Sequence, residues 1–233
     1  NGDMDALLGL YTISTLILLM NFSKLKKLDF ENLTKLFLFM MVLTMIKIEG
    51  LGILLCIFLS YMIIFFKNNK TLNNKIIFVF ALSIVPIILW KLFIYDKVIA
   101  SSSSLMISNG ERFIENLLDF QFILFLCKSI LINKQMFISL VIFLIILSQY
   151  IYLDKDLSKI TFNKKLFNKE SSFIFLTILL YSLILLFIFI SSEGSPNNVP
   201  EVKYFMTITS SDRLFIPVHS LILLYSIYLN KKV

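Results

Sequence analysis

Histidine, cysteine and glycine are scarce in this chain, and each scarcity removes a class of chemistry. The single histidine, His219, and the two cysteines, Cys56 and Cys127, stand far apart, at none of the spacings that build a zinc site or a disulfide framework. Both cysteines lie in apolar stretches and read as buried small hydrophobes. The six glycines form no phosphate-cradling loop and no nucleophile elbow. The chain opens on Asn1-Gly2-Asp3 without an initiator Met, a basic n-region or a small-residue cleavage site, so no targeting signal is visible. The expectation is a fragment, a single transmembrane domain over residues 1–233 whose N-terminal spans and first outer loop lie upstream.

Charge is also sparse, at 16% of residues, whereas 58% are hydrophobic and 24 are phenylalanine. With a mean hydropathy of +0.87, the chain carries more apolar surface than a soluble core buries, which predicts a polytopic membrane protein. Its 22 basic residues exceed its 15 acidic ones, a balance that in a soluble protein would suggest nucleic acid. The lysines instead cluster in short polar breaks between apolar runs, the pattern that orients a membrane protein. No basic and aromatic interleaving on a polar surface accompanies them, and nucleic acid is excluded as a partner.

Apolar runs over residues 6–22, 36–66, 76–95, 136–153, 173–190 and 214–229 are separated by breaks rich in lysine. If the basic segments at 24–35, 67–75, 155–169 and the C-terminus all lie in the cytoplasm, the chain must return to that side each time. The run at 36–66 then has to enter and leave on the same side. As one straight helix it would be about 46 Å long and would carry Lys67, Lys70 and Lys75 across. A helical hairpin is therefore predicted, bent at residues 47–52 with Gly50 and Gly52 as helix breakers. Residues 117–132 hold Asp119, Gln121 and Lys128 and are expected to form an interfacial helix. The predicted fold class is all-α: a polytopic transmembrane helical bundle with a short hairpin and an interfacial helix.

Three polar groups then fall on the non-cytoplasmic face. Asp3 and Asp5 lie on one turn at the start of the first helix, where they act as a simple cap favoured by the helix dipole or as an acid, a base or metal ligands. Lys47-Ile48-Glu49-Gly50 interrupts an apolar run, where each charge costs at least ~2.5 kcal/mol at a bilayer centre. That tetrad is either a self-neutralising pair at an interface or a site holding an anionic phosphate on Lys47. Arg213 ends a polar loop at the mouth of the last span, either as a headgroup anchor or as a bidentate phosphate ligand. His219 falls inside that last helix and reads as a packed side chain.

The order of these features resembles the GT-C superfamily of membrane glycosyltransferases, nearest to the protein-mannosyltransferase-like and aminoarabinose-transferase-like enzymes. The acidic segment Gly2 to Asp5, the Lys-x-Glu-Gly bend at Lys47 to Gly50, a loop-bearing middle and Arg-x-x-x-Pro at Arg213 to Pro217 carry the resemblance; His219 departs from a proline often found near this helix in the family. The resemblance implies sugar transfer from a polyprenyl-phosphate-linked donor to a glycan, lipid or protein acceptor at the outer face of a bacterial plasma membrane, with or without a divalent metal ion. It assigns Asp3 and Asp5 to catalysis, and Lys47, Glu49, Arg112 and Arg213 to substrate binding, Arg112 by its loop position alone. A base in the missing first outer loop would leave the fragment inactive. A secondary transporter with its site at a broken helix, and an O-antigen ligase or polymerase, remain the alternative readings.

Overall fold

The computed structural model describes residues 2–25, 29–46, 48–66, 70–90, 92, 114, 118–124, 134–148, 151–153, 160–162, 168–191 and 216–230. Seven helices account for most of them: α1 (Gly2–Phe22), α2 (Phe30–Ile46), α3 (Ile48–Phe65), α4 (Lys70–Trp90), α5 (Lys134–Ser148), α6 (Lys169–Ser191) and α7 (Ile216–Asn230). Between α5 and α6, strands β1 (Ile151–Leu153) and β2 (Ile160–Phe162) pair antiparallel, with Tyr152 opposite Thr161. This ladder takes up the end of the apolar run at 136–153, and the fold is all-helical apart from these two three-residue strands.

Among the described residues, three segments are long and apolar enough to cross a membrane: Met4–Phe22, Asn73–Trp90 and Lys169–Ile188. All seven helices are built from Leu, Ile, Phe and Met with few polar interruptions, so their faces differ little in polarity. Their outward surfaces carry Leu10, Ile63, Phe78, Leu144, Leu183 and Phe187, each at least half exposed. Such a continuous apolar exterior is not what water-facing helices present.

Side-chain contacts fix the directions of the helices. Cβ built on Gly50 would lie 1.9 Å from the carbonyl oxygen of Leu43. On an uninterrupted helix, seven residues span about 10 Å, so the chain has doubled back between α2 and α3. Only Lys47, outside the described residues, separates the two helices. The hairpin is present, but Gly50 and Gly52 do not break it; both are helical residues of α3.

At the opposite end of α3, the buried Asn73 of α4 donates to the carbonyl of Phe66 at 2.6 Å and accepts from the Tyr61 hydroxyl at 3.2 Å. Helix α4 therefore runs back alongside α2, and the Thr44 hydroxyl of α2 lies 3.4 Å from the carbonyl of Ser83. Pro86 falls inside α4, and lacking an N–H it leaves the carbonyl of Leu82 without its usual donor. The Thr44 hydroxyl donates chiefly to the Met41 carbonyl of its own helix, at 2.8 Å, and makes only a longer approach to the Ser83 carbonyl, next along from Leu82.

The first and last helices meet directly, with Gly9 of α1 against Ser220 of α7. Their other ends are tied through Glu170, which pairs with Lys24 at 2.7 Å and accepts from the Tyr228 hydroxyl. Asn168 caps α6 by accepting the Ser171 N–H at 2.8 Å. The core between these helices holds Leu16, Leu19, Leu36, Met40, Ile53, Ile57, Phe173 and Leu221. Phe173 stands edge-on to Tyr61 and Phe65 and locks α6 antiparallel to α3.

Lys24, Lys35, Lys75 and Lys169 thus belong to one end of the assembly, where α4 also starts at Lys70; Lys134 stands apart from them as the first residue of α5. The start of α1, the α2–α3 bend and the start of α7 share the other end. Within residues 117–132 the described part, 118–124, is helical from Phe120, and Asp119 caps that turn by accepting the Phe122 N–H at 3.1 Å. Phe122 is buried while Leu118, Phe120 and Leu124 are exposed.

Candidate functional site

The end opposite the lysines brings two of the sequence-selected carboxylates together. Helix α1 starts at Gly2, so Asp5 lies in its first turn, as the sequence predicts. There the positive end of the helix dipole favours a carboxylate. Asp5 is 2% exposed, a placement far costlier for a carboxylate than a solvated cap. Asp3 lies on the same turn of backbone. Glu49, the second residue of α3, is half-buried and occupies the equivalent position at that helix's N-terminus.

The close approach that Gly50 permits joins these two helix starts. Its missing side chain lets α3 sit against the Leu43 carbonyl of α2, and the Leu8 side chain of α1 comes within 3.2 Å of the same point. The Tyr181 hydroxyl, midway along α6, lies within electrostatic range of Glu49, Cys56 and Asp5. Sequence reasoning missed Tyr181, because an aromatic in an apolar helix carries no local signal of a site.

Tyr181 is 1% exposed, and its hydroxyl has no hydrogen-bond partner among the described residues. Buried hydroxyls elsewhere in the bundle bond back to their own helices: Thr12 to the Leu8 carbonyl at 2.7 Å and Thr177 to the Phe173 carbonyl at 2.9 Å. Tyrosine is too long to do this. A phenol near two carboxylates therefore offers a donor, and Asp5 and Glu49 offer acceptors, for a polyhydroxylated or cationic ligand.

Lys47, Arg112 and Arg213 lie outside the described residues, as do residues 192–215, whose loop bears on the ligase or polymerase alternative. His219 is on the first turns of α7 and half-buried. Among the described residues no group of three or more His, Cys, Asp or Glu could hold a metal ion. Comparison of the chain with protein-family models, with curated proteins and with solved structures found no match.

Proposed function

We propose that this chain is a multi-pass integral membrane protein of a bacterial plasma membrane and acts as a glycosyltransferase on a polyprenyl-phosphate-linked sugar at the non-cytoplasmic face. The observation that carries the reading is the pair of helix starts opposite Lys24, Lys35, Lys75 and Lys169, where the buried Asp5 and the half-buried Glu49 flank the Gly50 junction, with the Tyr181 hydroxyl, unpartnered among the described residues, deeper in the bundle. Helices α2 and α3, of 17 and 18 residues, are about 26 Å long. They fall just short of a ~30 Å hydrocarbon layer, so their bend lies just beneath the outer headgroups. A donor whose tail lies in lipid and whose phosphate lies at the surface meets the site at that depth.

In the transfer, an acceptor hydroxyl oxygen attacks the anomeric carbon as the carbon–oxygen bond to the donor phosphate breaks, with inversion. The acceptor's proton passes to a carboxylate, the role given to Asp5 with Asp3 beside it. Glu49 and Tyr181 take hydrogen bonds from and give them to sugar hydroxyls. The phosphate leaves with its charge balanced by Lys47 and Arg213, with Arg112 as a further ligand. A bound divalent ion would assist that departure. The transporter alternative needs its charges near mid-membrane, whereas Glu49 opens its helix.

The test is transfer of radiolabelled sugar from a polyprenyl-phosphate donor in membranes from cells expressing the protein. Asp5→Asn is expected to lower the rate by about a hundredfold or more, the usual worth of a general base. Unchanged activity in a Lys47→Ala, Arg213→Ala double variant would remove the phosphate-binding roles. Full activity in both Asp5→Asn and Glu49→Gln would sink the site itself.

A further inference from the structure

Helices α1, α3, α6 and α7 close into a ring. Helix α1 packs beside α3 and α7, and α6 packs beside the same two, so α1 and α6 face each other across the middle. At the lysine end a polar strut spans that diagonal. Lys24, just past the end of α1, pairs with Glu170 of α6 at 2.7 Å, and Tyr228 of α7 donates to the other oxygen of the same carboxylate. Asn168 holds the phenol in turn, donating to its oxygen at 3.3 Å. The Glu170 side chain is 15% exposed and that of Lys24 is 60% exposed, so the strut sits at the rim with its cation already in water. One turn inward, Phe173 stands against Tyr61 and Phe65.

Behind that rim the ring holds polar groups. Ser60 of α3 and Tyr181 of α6 are buried, and neither hydroxyl has a hydrogen-bond partner among the described residues. Buried serines elsewhere bond to their own helices, as Ser83 does to the Phe80 carbonyl at 2.8 Å. The Tyr181 hydroxyl is within electrostatic range of Cys56 on α3 and of Asp5 on α1, the helix across the ring, and Ser60 follows Cys56 by one turn on the same face of α3. An unpartnered buried hydroxyl opposes closure, and water admitted to the ring would satisfy both. The closed ring therefore needs contacts that offset this cost, and at the lysine end the strut is the contact that spans it. We infer that Lys24, Glu170 and Tyr228 form a latch: closed, it keeps water from Ser60 and Tyr181 on the lysine side, and released, it lets that end of the ring open and hydrate. The latch rests on the membrane placement and not on glycosyl transfer.

The experiment is thiol labelling of Ser60→Cys, in a chain that also carries Cys56→Ser and Cys127→Ser, with a small membrane-impermeant methanethiosulfonate applied to sealed vesicles of either orientation. A Lys169→Cys control in the same background identifies the lysine side. With the latch intact, the introduced thiol should react slowly from both faces. Tyr228→Phe should speed its labelling from the lysine side about tenfold, the least that a hydrogen bond to a charged group is worth. Lys24→Gln should speed it by no more than about fivefold, since its ion pair is exposed, and Glu170→Ala, which removes both contacts, should exceed either. Labelling from the opposite face should stay as it was. No acceleration in Tyr228→Phe and Glu170→Ala would overturn the latch, as would equal acceleration from both faces, the mark of a strut that only stabilises the bundle. Tyr228→Phe decides the matter alone if Glu170→Ala does not fold. Release of the protein by alkaline carbonate would defeat the membrane placement and the latch with it, whereas two-sided labelling of a protein that stays in the membrane defeats only the latch.

Discussion

Gly50 and Gly52 lie two residues apart, on nearly opposite faces of α3, and differ in what a methyl group would meet. At Gly50 it would strike the Leu43 backbone at 1.9 Å, whereas at Gly52 nothing lies within 4 Å. Gly50→Ala is therefore expected to destabilise the protein by about 3 kcal/mol, the upper range for overpacking. Gly52→Ala should stabilise it by roughly 0.5–1 kcal/mol through helix propensity. Thermal unfolding in detergent distinguishes the two. From sequence both residues read as breakers, because propensity is local and the Leu43 carbonyl is brought close only by the folded hairpin. Tyr181→Phe removes a buried hydroxyl with no partner among the described residues. It should leave stability unchanged or raise it by about 1 kcal/mol while lowering sugar transfer, a split that a purely structural tyrosine would not give. Glu49 drew notice from sequence because charge in an apolar run is costly, and Asp3 and Asp5 because they open the first helix. Tyr181 did not, since the significance of a phenol in an apolar helix is entirely a matter of neighbours.

At the scale of elements, the hairpin of α2 and α3 was readable because lysine spacing and helix length each demanded it. Its register with α4 was not, since that depends on single polar contacts. Asn73 holds the α3–α4 turn through the Phe66 carbonyl and the Tyr61 hydroxyl. Asn73→Ala leaves that carbonyl without its donor and is expected to cost about 1–3 kcal/mol. Thr44→Val, which withdraws the hydroxyl beside the Pro86 break, should cost less, about 0.6 kcal/mol, as interhelical bonds in lipid usually do. Both values are measurable by unfolding in mixed micelles. The β1–β2 ladder went unread because residues 151–153 continue an apolar helical run and three-residue strands carry too little pattern to announce themselves.

For the whole molecule, the lysine distribution anticipated which helix ends lie together, and the Glu170 tie and the Gly50 junction carry that arrangement. The expected orientation is checked by thiol labelling: cysteines replacing Lys24 and Lys169 should react only from the cytoplasmic side and one replacing Asp3 only from the opposite side. Helix α1 is packed by α7, through Gly9 against Ser220, yet Phe22 and Ile216 are 194 residues apart. At ~5–20 residues per second, a ribosome takes about 10–40 s to cover that distance. During that time the first helix must wait in the bilayer or the translocon with part of its partner surface unmade. Closure of this face of α1 thus waits on α7, and a message truncated before α7 should yield a short-lived product cleared by membrane proteases.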